Sequence, residues 1–176
     1  MGNVSLNESQ IIRVIAANII AAAATLTVCC PARADWKYTQ WGMTVDQVLA
    51  ASKGKLRRCS PPVCRAHVTT TSAAQLYGEE TDGGFTFTVF ALFERWSGRL
   101  ASIDLRLWKT EQADSLISVV RTKYGEPTSQ SHGAILESYV WRAQNDQISI
   151  LSVRGNQAVT TISYRPNITQ ESNGKR

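Results

Sequence analysis

Six basic or imidazole side chains crowd one short stretch of this chain: Lys53, Lys55, Arg57, Arg58, Arg65 and His67. They flank Cys59-Ser60-Pro61-Pro62-Val63-Cys64, a cysteine pair bridged by two prolines. A loop closed by a disulfide and stiffened by proline loses little conformational freedom on binding. Basic groups mounted on it suit an anionic lipid head group, a cell-wall polymer or an acidic protein face, each cation near an anionic membrane contributing about 1 kcal/mol. The plain alternative is a solvated loop. The cysteines leave three chemistries open. A structural disulfide across so short a loop stabilises by about 2 kcal/mol, because the gain grows with loop length, and its main effect is to fix the loop's shape. A redox couple wants two intervening residues where this pair has four. A metal site would recruit His67 as third ligand, with no fourth at a recognisable spacing. The disulfide is the expectation, and no metal or cofactor is expected.

Elsewhere the residues that could do chemistry stand apart. There are two histidines, His67 and His132, and no Gly-x-Ser-x-Gly elbow to present a nucleophile. His132 falls in the polar run Ser129-Gln130-Ser131-His132-Gly133 and reads as a solvated loop residue. Glu79, Glu80 and Asp82 cluster beside Gly83-Gly84, which reads as an exposed turn, and their spacing is not that of a calcium loop. No glycine motif for cradling phosphate occurs. The chain is therefore expected to be no enzyme. A hydrolase whose site is dispersed along the sequence is the alternative.

The elements that must carry these residues follow from periodicity. Thr44 and Gln47 form a capping box, with Met43 and Val48 as a hydrophobic staple, opening a helix of about nine residues that stops near Gly54. Trp36, Tyr38 and Trp41 precede it and are expected across the core. Val68–Thr71 is β-branched and reads as a strand reaching toward Tyr77. Between Phe85 and Phe93, odd positions share one face, leaving Thr86, Thr88, Phe90 and Leu92 on the other. Leu100–Trp108 alternates again, with Ala101, Ile103, Leu105 and Leu107 inward. A second helix spans Glu111–Tyr124, its acidic start and basic end matching the helix dipole, and Gly125 and Pro127 stop it. Strands at 136–142, 147–153 and 158–164 follow, turning at Asn145-Asp146 and Gly155-Asn156. The expected fold is α+β and two-layered: helix, three strands, helix, three strands, as antiparallel meanders with the helices on one face. One domain, 35–166, is expected, with possible units 41–108 and 109–166.

Before this domain lies an uncharged run of about 17 residues, ending at Pro31 and Arg33, short for a span of roughly 20 residues across a bilayer core. Ala32-Arg33-Ala34 is a small-x-small step, so residues 1–34 read as a signal peptide cleaved between Ala34 and Asp35. A retained anchor and a lipoprotein are the alternatives, although Val28 stands where a lipobox before Cys29 wants a small residue. Cleavage removes Cys29 and Cys30 and leaves Cys59 and Cys64 to pair in an oxidising compartment. Of 19 basic and 14 acidic side chains, two arginines and one glutamate lie in the leader, so the remainder carries a net charge near +4. So mild a charge does not argue for nucleic acid. Residues 167–176 read as a disordered polar tail.

Two local signatures resemble those of secreted bacterial proteins. Trp41-Gly42-Met43-Thr44-Val45-Asp46-Gln47-Val48 resembles a WGMS-x-x-x-V helix start. Lys123-Tyr124-Gly125-Glu126-Pro127, followed by a strand carrying Trp141, resembles a KYG-x-P helix stop. The layout is similar to that of the small outer-membrane-assembly lipoproteins of the SmpA/OmlA type and of secreted β-lactamase-inhibitor proteins. That resemblance implies binding rather than catalysis and carries over no functional residue. The expected protein is periplasmic or secreted and has no membrane span after cleavage. Its expected partner is an envelope protein or an anionic envelope component, met through a sheet face or through the basic loop. Mass spectrometry of protein recovered from producing cells should find Asp35 as the first residue, and a chain retaining residues 1–34 would refute cleavage.

Overall fold

In the computed structural model, residues 36–65, 67–143 and 145–167 are described. The expected leader, its cleavage point and nearly all of the expected tail lie outside them. The described chain runs α1 (Val45–Ala51), β1 (Leu56–Arg58), α2 (Pro61–Cys64), β2 (Ser72–Asp82), β3 (Phe85–Glu94) and β4 (Leu100–Leu107). A 3-10 turn at Thr110–Gln112 leads into α3 (Ala113–Tyr124), then β5 (Ser129–His132), β6 (Leu136–Arg142), β7 (Asp146–Val153) and β8 (Val159–Pro166). All eight strands form one antiparallel sheet in the order β1-β2-β3-β4-β8-β7-β6-β5.

α1 and α3 are thus each associated with four strands, where three were expected, and the single turn α2 is set between β1 and β2. The two additional strands are the outermost ones, β1 and β5. Leu56-Arg57-Arg58 and Ser129-Gln130-Ser131-His132 lack any apolar alternation, so only their backbone pairing with β2 and β6 makes them strands. The run Val68–Thr71 is no strand: Val68 makes a single bridge to Ala73, and β2 begins at Ser72. Glu79, Glu80 and Asp82 belong to β2, leaving only Gly83-Gly84 as the turn. Asp146 opens β7 and is buried rather than lying in a turn.

The core forms where alternation meets the helices. Val48 from α1 and Leu116, Ile117 and Val120 from α3 join one buried cluster with Val89, Ala91 and Phe93 of β3 and Ile103, Leu105 and Leu107 of β4. Ile148, Ile150, Ile162 and Tyr164 extend it across β7 and β8. A bulge between Leu92 and Phe93 shifts the register, so Leu100 enters this core in place of Ala101. Trp36 is buried in the cluster, and Tyr38 and Trp41 pack against it.

Both sequence signatures are anchor points. The capping box forms, with Thr44 N–H donating to Gln47 Oε1 at 2.8 Å and Gln47 N–H to Thr44 Oγ1 at 3.3 Å. Just before it, the Trp41 indole N–H donates to Asp146 Oδ1 at 2.6 Å, tying the start of the first helix to β7. At the other signature Gly125 adopts φ 81°, which a side chain would strain, and its carbonyl accepts from the Trp141 indole at 2.8 Å. Gly78 has a different duty. A Cβ there would meet the Lys55 carbonyl oxygen at 2.1 Å, so glycine is what lets β1 lie against β2.

Trp141 is 2 % exposed, and its removal opens a cavity while stranding the Gly125 carbonyl. Trp141→Phe should lower the unfolding free energy by about 2–3 kcal/mol in urea titrations. Trp96→Phe, at a 71 % exposed position, should change it by less than about 0.5 kcal/mol. Equal effects would refute the anchor.

Candidate functional site

Strand alternation gives the sheet two unlike faces. One carries the helices and the core. The other presents Arg57, Tyr77, Thr88, Phe90, Leu92, Asp104 and Arg106 from β1–β4, and Thr161, Ser163, Ser149, Leu151, Val140 and Leu136 from β5–β8, as the register pairs Tyr77 with Phe90, Asp104 with Ser163 and Leu151 with Thr161.

The disulfide loop lies on this second face, over its first half. Cys59 and Cys64 stand at disulfide distance with Cα atoms 5.9 Å apart, which fits an oxidising compartment. The prolines between them form the single turn α2 rather than an irregular loop. Cys64 packs with Ala74, Phe90 and Leu92 in a small second core. Phe90, expected on the exposed side, is therefore buried, and the His67 ring stacks on it at 3.5 Å between centroids. Trp108 does remain exposed, its indole donating to Thr88 Oγ1 at 2.8 Å.

The basic cluster does not act as one patch, because a strand sends successive side chains to opposite faces. Arg57 lies on the helix-free face, its guanidinium 4.5 Å from the Tyr77 ring centroid. Arg58 pairs with Asp46 of α1 on the helix side. Lys55 also turns to that side and shares Glu80 with Lys37, at 3.1 and 2.9 Å. Burial pushes the Glu80 carboxyl up, but hydrogen bonds and charge from Lys37 and Lys55 outweigh this and hold it below the usual range. Burial, then the Glu80 charge, raises the nearby Tyr38 hydroxyl. Lys53 and Arg65 are exposed, and among the described residues neither has a carboxylate partner.

His67 faces two charged groups of β4. Burial lowers its pKa from 6.5; Asp104 opposes this shift and Arg106 adds to it. Asp104 lies on the helix-free face between the inward residues Ile103 and Leu105. Its carboxyl is raised, chiefly by burial, against the hydrogen bond of Ser163 and the charges of Arg165 and His67. Its Oδ1 is enclosed without a hydrogen-bond partner. Strand pairing between β4 and β8 assembles Asp104, Ser163 and Arg165, which lie some sixty positions apart, and no local pattern could announce them. His132 sits apart on the edge strand β5, its ring edge-on to Tyr139 at 5.4 Å. Among the described residues neither histidine lines any of five clefts of about 230 to about 640 Å³. Among the described residues no cluster of three or more His, Cys, Asp or Glu is placed to hold a metal ion, and no helix is long and apolar enough to cross a membrane.

The second half of the face is different. Around Leu136 and Leu151 it is built of serine, threonine and aliphatic residues, and Arg142, Gln147 and Arg165 follow in register at its other end. Leu136 and Leu151 are 47 % and 48 % exposed and belong to neither core cluster. Ile135 beside them is more exposed still. No protein-family model, curated protein or solved structure matches this chain.

The lowered pKa of His67 has a stability consequence. A histidine whose folded pKa lies below its unfolded value contributes stability present above about pH 6.5 and lost as pH falls through the folded pKa. NMR titration should give His67 a midpoint below 6.5, and Phe90→Ala should raise it by opening the stack to water. A midpoint at or above 6.5 in the unaltered protein would contradict the stacked, half-buried placement.

Proposed function

We propose that this protein is a non-enzymatic binding module of the cell envelope, periplasmic or secreted, which docks a folded protein partner on the β5–β8 half of its helix-free sheet face. The observation that carries this reading is the unpartnered aliphatic surface of Leu136 and Leu151, set among Ser138, Ser149 and Thr161, with the charged side chains of these strands, Arg142 and Arg165, at the far end of the same face. Large exposed aliphatic groups gathered on one face mark interaction sites, and depletion of charge is the signature of an interface centre. A lipid surface or anionic polymer would call instead for cations. The basic-loop version of the function is weakened, since Lys55 and Arg58 are matched by Glu80 and Asp46 on the opposite face. The two helix-plus-four-strand stretches read as two copies of one unit, the second left open and the first closed by its disulfide loop. The leader expected at residues 1–34 from the sequence and the disulfide together support the envelope location.

A photo-crosslinking residue placed at Leu151 in producing cells should give one discrete heavier adduct, lost in Leu136→Glu. The same residue at Val119, exposed on α3, should give none. An adduct of twice the chain mass would indicate self-association, and adducts of equal yield at both positions would remove the face's claim; either result overturns the proposal.

A further inference from the structure

A cleft of about 640 Å³ lies at the end of β3, β4 and β8, outside the aliphatic patch, lined by Ser102 and Arg165 of the helix-free face and by Trp41 and Leu100 of the helix side. That volume falls in the range of small-molecule sites, about 300–1,000 Å³. Its floor is the meeting line of the two helix-plus-strand stretches, with Ser102 on β4 and Arg165 on β8. Trp41 and Trp96 stand in its walls, Arg99 and Glu94 beside them.

The state of these groups limits what could enter. The Trp41 indole N–H is committed to Asp146, so this ring is a fixed apolar surface. Trp96 is 71 % exposed at a turn, a large ring with no enclosing partner. Glu94 accepts from the Ser97 hydroxyl. Arg99 donates to the Gly42 carbonyl at 3.2 Å, a neutral acceptor that leaves its charge unmatched. Arg165 has no ion pair among the described residues, whereas Lys37, Lys55, Arg58, Arg121 and Arg154 each have a carboxylate. Two guanidiniums without a close ion pair, although the Arg165 charge is felt by the buried Asp104 and Glu94 also lines the cleft, still present rigid paired donors that suit a carboxylate. The rim carries the exposed Thr69 and Thr71, whose hydroxyls bond to each other and, through Thr69, to the buried Ser72, and the remaining capacity of Thr71 suits a ligand that itself carries hydroxyls. An exposed tryptophan offers a flat apolar face for the C–H side of a ring.

We propose that this cleft binds an acidic sugar, its ring laid against Trp96 and its carboxylate held by Arg99 and Arg165. The proposal is independent of protein docking on β5–β8, and a Leu151→Glu variant should bind the sugar acid unchanged. The probes are digalacturonate, maltose as a neutral disaccharide, acetate as a bare carboxylate and phenylacetate as an aromatic acid. In calorimetry and indole N–H spectra, digalacturonate should shift the Trp41 and Trp96 signals and bind at least about tenfold more tightly than the other three. Arg165→Ala should abolish the preference over maltose, and Trp96→Ala should weaken both sugars, with unfolding temperatures unchanged. Equal affinity for maltose and digalacturonate, equal or tighter binding of acetate or phenylacetate, or no saturable binding of any probe would each overturn it.

Discussion

The antiparallel pairing of β4 with β8 is the constraint on which the rest of the molecule depends. It joins two four-stranded meanders edge to edge, with Asp104 opposite Ser163 and Leu105 opposite Ile162. Because a strand alternates its side chains, this single register decides which residues of both halves share a face. Leu105 and Ile162 turn to the helices and close one core, while Asp104 and Ser163 turn away and form the centre of the opposite face. A slip of one residue would exchange the two sets and expose the core of the joint.

Burial on one side leaves an asymmetric surface on the other. In the first half the disulfide loop folds over Phe90 and Leu92 and makes a small second core, with His67 as part of its roof. A short loop could not hold that position by its own apolar content, and linking Cys59 to Cys64 restricts the conformations it must abandon on folding. In the second half no comparable cover is present among the described residues, and Leu136 and Leu151 stay half exposed. The cleft lined by Arg99 and Arg165 lies at the joint between these halves.

Much of the architecture was legible in the chain because its causes are local. The capping box at Thr44 and Gln47, the alternation from Phe85 to Phe93 and the glycine stop at Gly125 each act within a few residues. The edge strands escaped because their sequences, Leu56-Arg57-Arg58 and Ser129–His132, bury almost nothing; their pairing comes from the neighbour's unsatisfied backbone. Site residues were harder. Lys53, Lys55, Arg57, Arg58 and Arg65 form a cluster in sequence, but strand alternation and the ion pairs with Glu80 and Asp46 break it into separate groups. Asp104 and Arg165 look like ordinary solvated charges until β4 and β8 are placed side by side. Alternation along 100–108 sets Trp108 on the outer side, where it is exposed, but Trp96 carried no mark in the sequence that distinguished it from the buried Trp141.

The account turns on the helix-free face of β5–β8 being a working surface rather than bare sheet. Carbene footprinting of the protein inside producing cells, compared with the purified protein, tests this most directly. The account predicts protection in cells at Leu136, Leu151 and Val153, with Val119 on α3 labelled equally in both samples. Equal labelling of the three sheet residues in both samples, or protection at Val119 alone, would contradict it.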